Sequence, residues 1–356
     1  MMKIKHMLLI VLVILVIIAL WATVFNGNDS PVAQMADKEN VSIAVTGDVM
    51  FARKMPNVLS MDSSPFEGVS DVTSNVDLLL VNFENAATTS GDALKGDVPL
   101  KCDPSYVPLL KANNLTVAAM ANNHAIDYGI QGMKDTIQNL KDNDITPMGA
   151  GENEDEAHQA VIKEVNGRKI TILNYMDSDN FAEYSYDSMP YANGSNPGYS
   201  AYDSEDAKAQ ISENNDSDMI IAYLHFGNEY SNSPNENQEK IAHELIDYGA
   251  DIVIGSHPHV TQGIEMYKGK PIFYSLGNFI FDQSNTATHS AYFVKVDLAA
   301  NTGECTVYPI YISNYLPQHM SPEDGSSLLS ELSPQCSQMQ ITDEGLGKLT
   351  FNLTDS

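Results

Sequence analysis

An α/β domain is the fold class this sequence predicts, on three observations. Short apolar runs of strand character alternate with polar loops and helix-like stretches along most of the chain. In five places a residue able to ligate a metal follows directly on such a run. Between residues 161 and 175, two strand-like runs flank Asn166-Gly167, a dipeptide whose tolerance of positive φ suits the type I′ turn of a hairpin.

Residues 41–45 read as a strand running into Thr46-Gly47-Asp48, and the run 76–83 ends in Glu84-Asn85. A third run, 115–120, ends in Asn122-Asn123-His124 and leads to a helix over 132–143 and a strand near 145–148. After the hairpin, residues 177–200 are dense in Ser, Asp, Asn, Gly, Pro and Tyr. They predict a long surface loop, either a lid over a site or a disordered insertion. A helix over 203–214, a strand over 219–224 ending at His225, an amphipathic helix over 235–248 and a strand over 251–254 come next. Residues 271–276 form a further run into Gly277-Asn278, and strands over 291–298 and 305–312 are expected to close the edge of a second sheet. Residues 320–348 show no strong period, and 349–353 read as one last strand.

Ahead of the domain, Lys3 and Lys5 precede an uncharged apolar run over 7–25. At 1.5 Å per residue it extends roughly 28 Å, enough to cross a hydrocarbon layer, and the lysines predict residues 1–6 inside and the domain outside. A retained signal-anchor is favoured over a cleaved signal, because Ala22-Thr23-Val24-Phe25 is a poor cleavage site. Residues 26–40 read as a polar tether. The chain holds 19 Lys and Arg against 47 Asp and Glu, a formal charge of −28. Such a surface repels phosphate backbones, which excludes nucleic acid as a partner. An anionic substrate would then need a local cationic feature, such as a bound metal ion. Cys102, Cys305 and Cys336 have no C-x-x-C spacing and make no zinc signature; a Cys305–Cys336 bridge stays open.

The five loops carry Asp48, Glu84, Asn123 with His124, His225, and His257 with His259. Carboxylate and imidazole are the usual ligands of borderline divalent metals, and loops at the carboxyl ends of α/β strands gather on one edge. The pattern therefore predicts a metal site, against the alternative of capping residues and satisfied core histidines in a fold that has kept the geometry without the chemistry. Arg53, just beyond the first loop in a cation-poor domain, is a candidate to hold a substrate carboxylate or phosphate.

At these residues the chain resembles the poly-gamma-glutamate capsule synthesis proteins, the CapA/PgsA family, and more remotely the calcineurin-like metallophosphoesterases. The resemblance rests on TGDVMFAR (46–53), VNFENA (81–86), ANNHAIDYG (121–129), LHFGNEY (224–230), IGSHPHVTQ (254–262) and YSLGNFIFDQ (274–283). It implies a four-layer α/β/β/α sandwich over residues 41–318, preceded by the transmembrane helix and followed by an extension over 319–356. It implies two divalent ions, of Mn, Fe or Zn. Asp48 would serve the first, Glu84 would replace the usual bridging aspartate, Asn123, His225 and His257 would serve the second, and His259 would return to the first. His124 would be a general acid or an electrophilic contact, oriented by Asp127, while Asn82, Glu229 and Asn278 would join Arg53 facing substrate or bracing the loops. One departure stands out: Asp-x-His of the phosphoesterases is here Asp48-Val49-Met50, and a thioether is a poor ligand for such metals. The implied role is a membrane-anchored extracellular protein in the synthesis, export or attachment of an anionic polymer, working with other capsule synthesis subunits. A free-standing phosphoesterase or polyglutamyl amide hydrolase, and a metal-free polymer-binding subunit, are the alternatives.

Overall fold

Several strands of this chain are apolar at consecutive positions, and such strands must be covered on both faces. The computed structural model, which describes residues 39–59, 64–94, 98–178 and 191–353, shows what covers them. In chain order the main strands are β1 (Val41–Val49), β2 (Leu78–Phe83), β3 (Val117–Ala119), β4 (Thr146–Met148), β5 (Val161–Val165), β6 (Arg168–Met176), β7 (Met219–His225) and β8 (Ile252–Ser256). They continue with β9 (Ile264–Tyr267), β10 (Lys270–Phe273), β11 (Asn278–Ile280), β12 (Ser290–Ala299), β13 (Thr302–Ser313), β14 (Leu316–His319), β15 (Gln340–Ile341) and β16 (Gly347–Asn352). The longer helices are α1 (Gly129–Asp142), α2 (Ser204–Glu213), α3 (Glu236–Tyr248) and α4 (Pro322–Leu332). One sheet runs β15-β16-β13-β12-β1-β2-β3-β4, with β11 on β1 and β14 on β13; the other runs β9-β10-β8-β7-β6-β5.

Alternate residues on each strand go to opposite layers. Met219, Ile221 and Tyr223 of β7 join Ile170 and Ile172 of β6 and Ile43 and Val45 of β1 in a core between the sheets. Ile220, Ala222 and Leu224 pack the other way, with Ala207 and Ile211 of α2 and Ile241 and Leu245 of α3. On the first sheet, Leu79, Val81 and Phe83 turn from the shared core toward Met133 and Leu140 of α1. The layering is therefore helix, sheet, sheet, helix in a mixed α/β fold. Helix α3 is fixed at both ends: Asn235 and Gln238 form a capping box, and Gly249 stops it at φ 118°.

Two sets of parallel strands put the motif loops at matching ends. β1, β2, β3 and β4 are mutually parallel in order, as are β6, β7, β8 and β10. The Tyr223 hydroxyl of β7 donates to the Thr46 carbonyl of β1, tying the sheets just beneath the loops. The Asn166-Gly167 hairpin forms as expected, with φ of 52° and 75° and Val165 opposite Arg168. Strands β12 and β13, expected on a second sheet, instead extend the first: β12 pairs with β1, Val41 opposite Leu298, and β13 pairs with β12. The chain reaches that position because β11 runs parallel to the end of β1 and the following turn reverses direction. The run over 271–276 supplies β10, whereas its hairpin partner β9 and helix α4 are not among the expected elements; Ser321, whose side chain accepts from Asp324 N, opens α4. Beyond residue 318, α4 packs Leu329 and Leu332 into the inter-sheet core and β16 pairs with β13.

Cys102, Cys305 and Cys336 are buried and free. Of the expected loop over 177–200, residues 179–190 lie outside the described residues, while Gly198–Tyr199 pairs with Ala150–Gly151. The predicted span over 7–25 also lies outside them, and among the described residues no helix is long and apolar enough to cross a membrane.

Two motif glycines mark close backbone approaches. A Cβ on Gly47 would lie 1.8 Å from the Gly277 carbonyl oxygen, and one on Gly255 would lie 2.2 Å from that of Tyr274. Gly255→Ala should therefore lower the unfolding free energy by about 1–3 kcal/mol in urea titration; an unchanged midpoint would contradict the close approach.

Candidate metal centre

The register of β1 and β2 places Asp48 beside Asn82, and the chain then turns so that Glu84 follows two residues on. Both carboxylates are fully buried. Asn82 Nδ2 donates to Asp48 Oδ1 at 2.8 Å and Glu84 Oε2 at 3.0 Å, and stands 3.3 Å from His225 Nδ1. Its own carbonyl accepts from Asn122 Nδ2 at 2.9 Å. Asn122 also donates to the Phe83 carbonyl at 3.0 Å and accepts from His124 N at 3.1 Å, so it fixes the loop that carries Asn123 and His124.

Imidazoles from the second sheet complete the cluster. His225, at the end of β7, has Nε2 at 3.1 Å from Asn123 Oδ1 and its ring 4.6 Å from that of His257. His259 Nδ1 contacts Asn278 Oδ1 at 2.9 Å and Asp48 Oδ2 at 3.2 Å, while its Nε2 lies 3.8 Å from Glu84 Oε1. His257 and His259 both have left-handed backbones, with φ of 101° and 58°. Such conformations cost about 1–3 kcal/mol at non-glycine residues and persist where packing dictates them. His124 Nδ1 meets Asp127 Oδ2 at 2.6 Å, and its Nε2 lies 3.7 Å from Glu84 Oε1. Asp127 Oδ2 also accepts from Leu100 N at 2.6 Å, which holds the carboxylate in place.

Burial alone would raise the Asp48 carboxyl, but the nearby His259 imidazole and the Asn82 amide outweigh it and hold it below its ordinary value. Burial and the neighbouring His259 charge depress His257 from 6.5 to about 4. The Tyr223 phenol beneath them is pushed up, first by burial and then by the Asp48 charge.

Asp48, Glu84 and His225 bring one ligand atom each within 4.8 Å of one another. Among the described residues, His257 Nδ1 is buried without a hydrogen-bond partner, and the buried Asp48 Oδ2 is met by His259 Nδ1 at 3.2 Å. A buried acceptor left without a partner is costly, and a cation there would satisfy the carboxylate and the imidazole together. A histidine kept neutral is also the form that ligates. The residues present thus fit a divalent ion. Met50 does not join them; it is buried, and its sulfur accepts from Ala52 N at 3.2 Å.

The remaining sequence candidates divide. Asn82 and Asn278, expected among the substrate-facing residues, are buried with their amides engaged; Asn278 Nδ2 donates to Gln283 Oε1 at 3.1 Å and the Thr288 carbonyl at 3.3 Å. They brace the ligand-type side chains. Glu229 is half-buried, close enough for its charge to oppose the depression of His257. Arg53 stands outside the cluster, paired with Asp282 and over the Phe281 ring at 5.5 Å. Asn122, Ser256, whose Oγ lies 3.3 Å from His225 Nδ1, and Asp282 were not singled out by sequence; the first two stand next to Asn123 and His257, and Asp282 within the last motif.

The family described as bacterial capsule synthesis protein PGA_cap matches residues 42–283, and hence all six motif loops. The chain belongs to that family. It is 32% identical over 364 residues to the PGA biosynthesis protein CapA of Bacillus subtilis (strain 168), covering 99% of this chain and 92% of that protein. It is 31% identical to the capsule biosynthesis protein CapA of Bacillus anthracis, over 97% of this chain and 85% of that protein. Among solved structures, a hypothetical protein from Thermus thermophilus is similar with a TM-score of 0.45 at 16% identity, covering 78% of this chain and 95% of that one. The calcineurin-like phosphoesterase YfkN from Bacillus subtilis is similar with a TM-score of 0.42 at 13% identity, covering 88% and 91%.

The depressed His257 gives this family member a pH signature when metal-free. Between about 6.5 and about 4 the unfolded chain binds a proton that the folded one refuses. Stability present at neutral pH is then lost as pH falls through that window, on the order of 3 kcal/mol in total. In chelator-treated protein, His257→Gln should flatten this part of the stability curve; parallel curves for parent and variant would refute the assignment.

Proposed function

We propose that this chain acts in the synthesis, export or attachment of a poly-gamma-glutamate-type anionic polymer. In this reading it is anchored by residues 7–25 with its domain outside the cell, working beside other capsule synthesis subunits, and it carries a metal-dependent, hydrolase-like site. The observation that carries the site is the buried convergence of Asp48, Glu84 and His225. The polymer is supported by the two relatives, whose names give PGA and capsule biosynthesis. The anchor is supported by the uncharged run alone.

Asp48, Glu84, Asn123, His225, His257 and His259 are the residues that would hold one or two divalent ions, of Mn, Fe or Zn. Such an ion supplies Lewis-acid polarisation of a phosphoryl or acyl oxygen and lowers the pKa of bound water. The chain's own contribution is proton transfer. Asp127 Oδ2 meets His124 Nδ1 at 2.6 Å and so aims the other ring nitrogen, Nε2, into the site, from where it can pass a proton. A leaving group beside Glu84 would receive that proton.

A metal-free binding subunit is the second reading, and two observations favour it. The Asn82 amide already donates to both carboxylates, and Met50 leaves the first ion position short of a ligand. Metal content separates the two. Protein purified without chelator or histidine tag should hold one to two divalent ions per chain by elemental analysis, and His257→Ala/His259→Ala should lose them. An absence of metal after loading with Mn, Fe and Zn would leave the binding subunit. In the metal-loaded protein, His124→Ala should keep its ions yet lower turnover of phosphoester or polyglutamyl substrates by roughly 10²–10⁴-fold. Asp127→Asn should shift the pH–rate profile, and unchanged rates in both variants would remove His124 as the acid.

A further inference from the structure

In a chain this poor in cations, Arg53 and Lys54 line one cleft of about 330 Å³, together with Tyr230, Asp282, Gln283, Ser284 and Asn285. The cleft is coupled to the buried cluster by a run of contacts. His259 Nδ1 meets Asn278 Oδ1 at 2.9 Å, Asn278 Nδ2 donates to Gln283 Oε1 at 3.1 Å, and Gln283 Nε2 donates to the Tyr230 hydroxyl at 3.3 Å. The Phe281 ring lies 4.7 Å from that of His259 and 5.5 Å from the Arg53 guanidinium, so a single ring separates the cation from the imidazole. Tyr230 N donates to the Pro258 carbonyl at 2.9 Å, which fixes the cleft wall to the His257–His259 turn.

We propose that this cleft binds a carboxylate of an anionic chain whose neighbouring unit lies at His259. The inference rests on the reading that the buried cluster acts on such a polymer. Asp282 is buried and takes one corner of the Arg53 guanidinium as well as Lys54 N at 3.0 Å. It orients the arginine without exhausting its five donors. With Lys54 added, the lining residues carry two cations against the one Asp282 carboxylate, in a chain of acidic balance; Glu229 is bonded to Tyr230 but does not line the cleft. Tyr230 accepts from Gln283 and its hydroxyl is also bonded to the Glu229 carboxylate, so both partners fix it in the cleft wall. Arg53 and Tyr230 are both held in the left-handed region, at φ 53° and 61°, a strained backbone of the kind that clusters at ligand sites. The volume is at the small end for ligand sites and suits one amino-acid unit rather than a folded partner.

Arg53→Ala would strand the buried Asp282 carboxylate, so Lys54→Gln and Arg53→Lys are the variants to use. The test is calorimetric titration of a short γ-linked glutamate oligomer, and separately of free glutamate and inorganic phosphate, onto the metal-loaded full-length protein, with metal content measured in each sample. Each variant should bind the oligomer about 10-fold more weakly than the parent, with metal content and phosphate affinity unchanged. Oligomer affinity equal to the parent's, at unchanged metal content, overturns the cleft and leaves the metal reading standing. A parent that holds metal but binds no oligomer overturns the cleft together with its polymer. Free glutamate binding as tightly as the oligomer, and weakened equally by the variants, overturns the adjoining-unit geometry.

Discussion

Two carboxylates buried side by side are the constraint on which this structure turns. Asp48 and Glu84 have no exposure to water, and like charges in a poorly screened interior repel strongly unless donors stand between them. Asn82 supplies that donor from the adjacent strand, and it can do so because β1 and β2 are parallel with Asp48 opposite Asn82. A slip of one residue would turn Asn82 to the other face of the sheet. His259 adds an imidazole against Asp48, His259 and His124 stand 3.8 and 3.7 Å from Glu84, and Asn122 keeps Asn82 pointed the right way.

The second sheet answers the first across this pocket. Its β8 ends in a turn in which two histidines adopt a backbone more natural to glycine. A glycine there would relieve strain but contribute no imidazole, so the local cost is kept and offset by packing elsewhere. Gly47 and Gly255 do the opposite work, letting backbone pass backbone at distances no side chain permits. The Tyr223–Thr46 hydrogen bond holds the two halves of the site in register from below.

Much of this was legible in the sequence, for a physical reason. A strand buried on both faces reads as an unbroken apolar run, and the polar residues just after it mark the strand's carboxyl end. That rule located Asp48, Glu84, His225 and His257, and it separated the amphipathic α3 from its neighbours. It failed where periodicity is weak. The α4 helix has few apolar positions and a Ser-rich face, and β9 is short with mixed residues, although the run over 271–276 did mark its partner β10. Sheet membership was harder still, since nothing local to β12 says that it pairs with β1 some 250 residues earlier. The roles of Asn82 and Asn278 were also hidden. A motif shows that an amide is near the chemistry, whereas only packing shows whether it faces the ligand or another side chain.

The order of the site along the chain has a kinetic consequence. Asp48 and Glu84 are made early, while His225, at the end of β7, follows only after α1, α2 and strands β3 to β6, His257 and His259 only after α3 and β8 as well, and β12 and β16 later still. Contacts so distant in sequence form late and slowly. An ion that needs both carboxylates and imidazoles finds no competent half-site on a partly made chain. Metal uptake would therefore act as a seal on completed assembly, locking a domain that the ion had no part in starting.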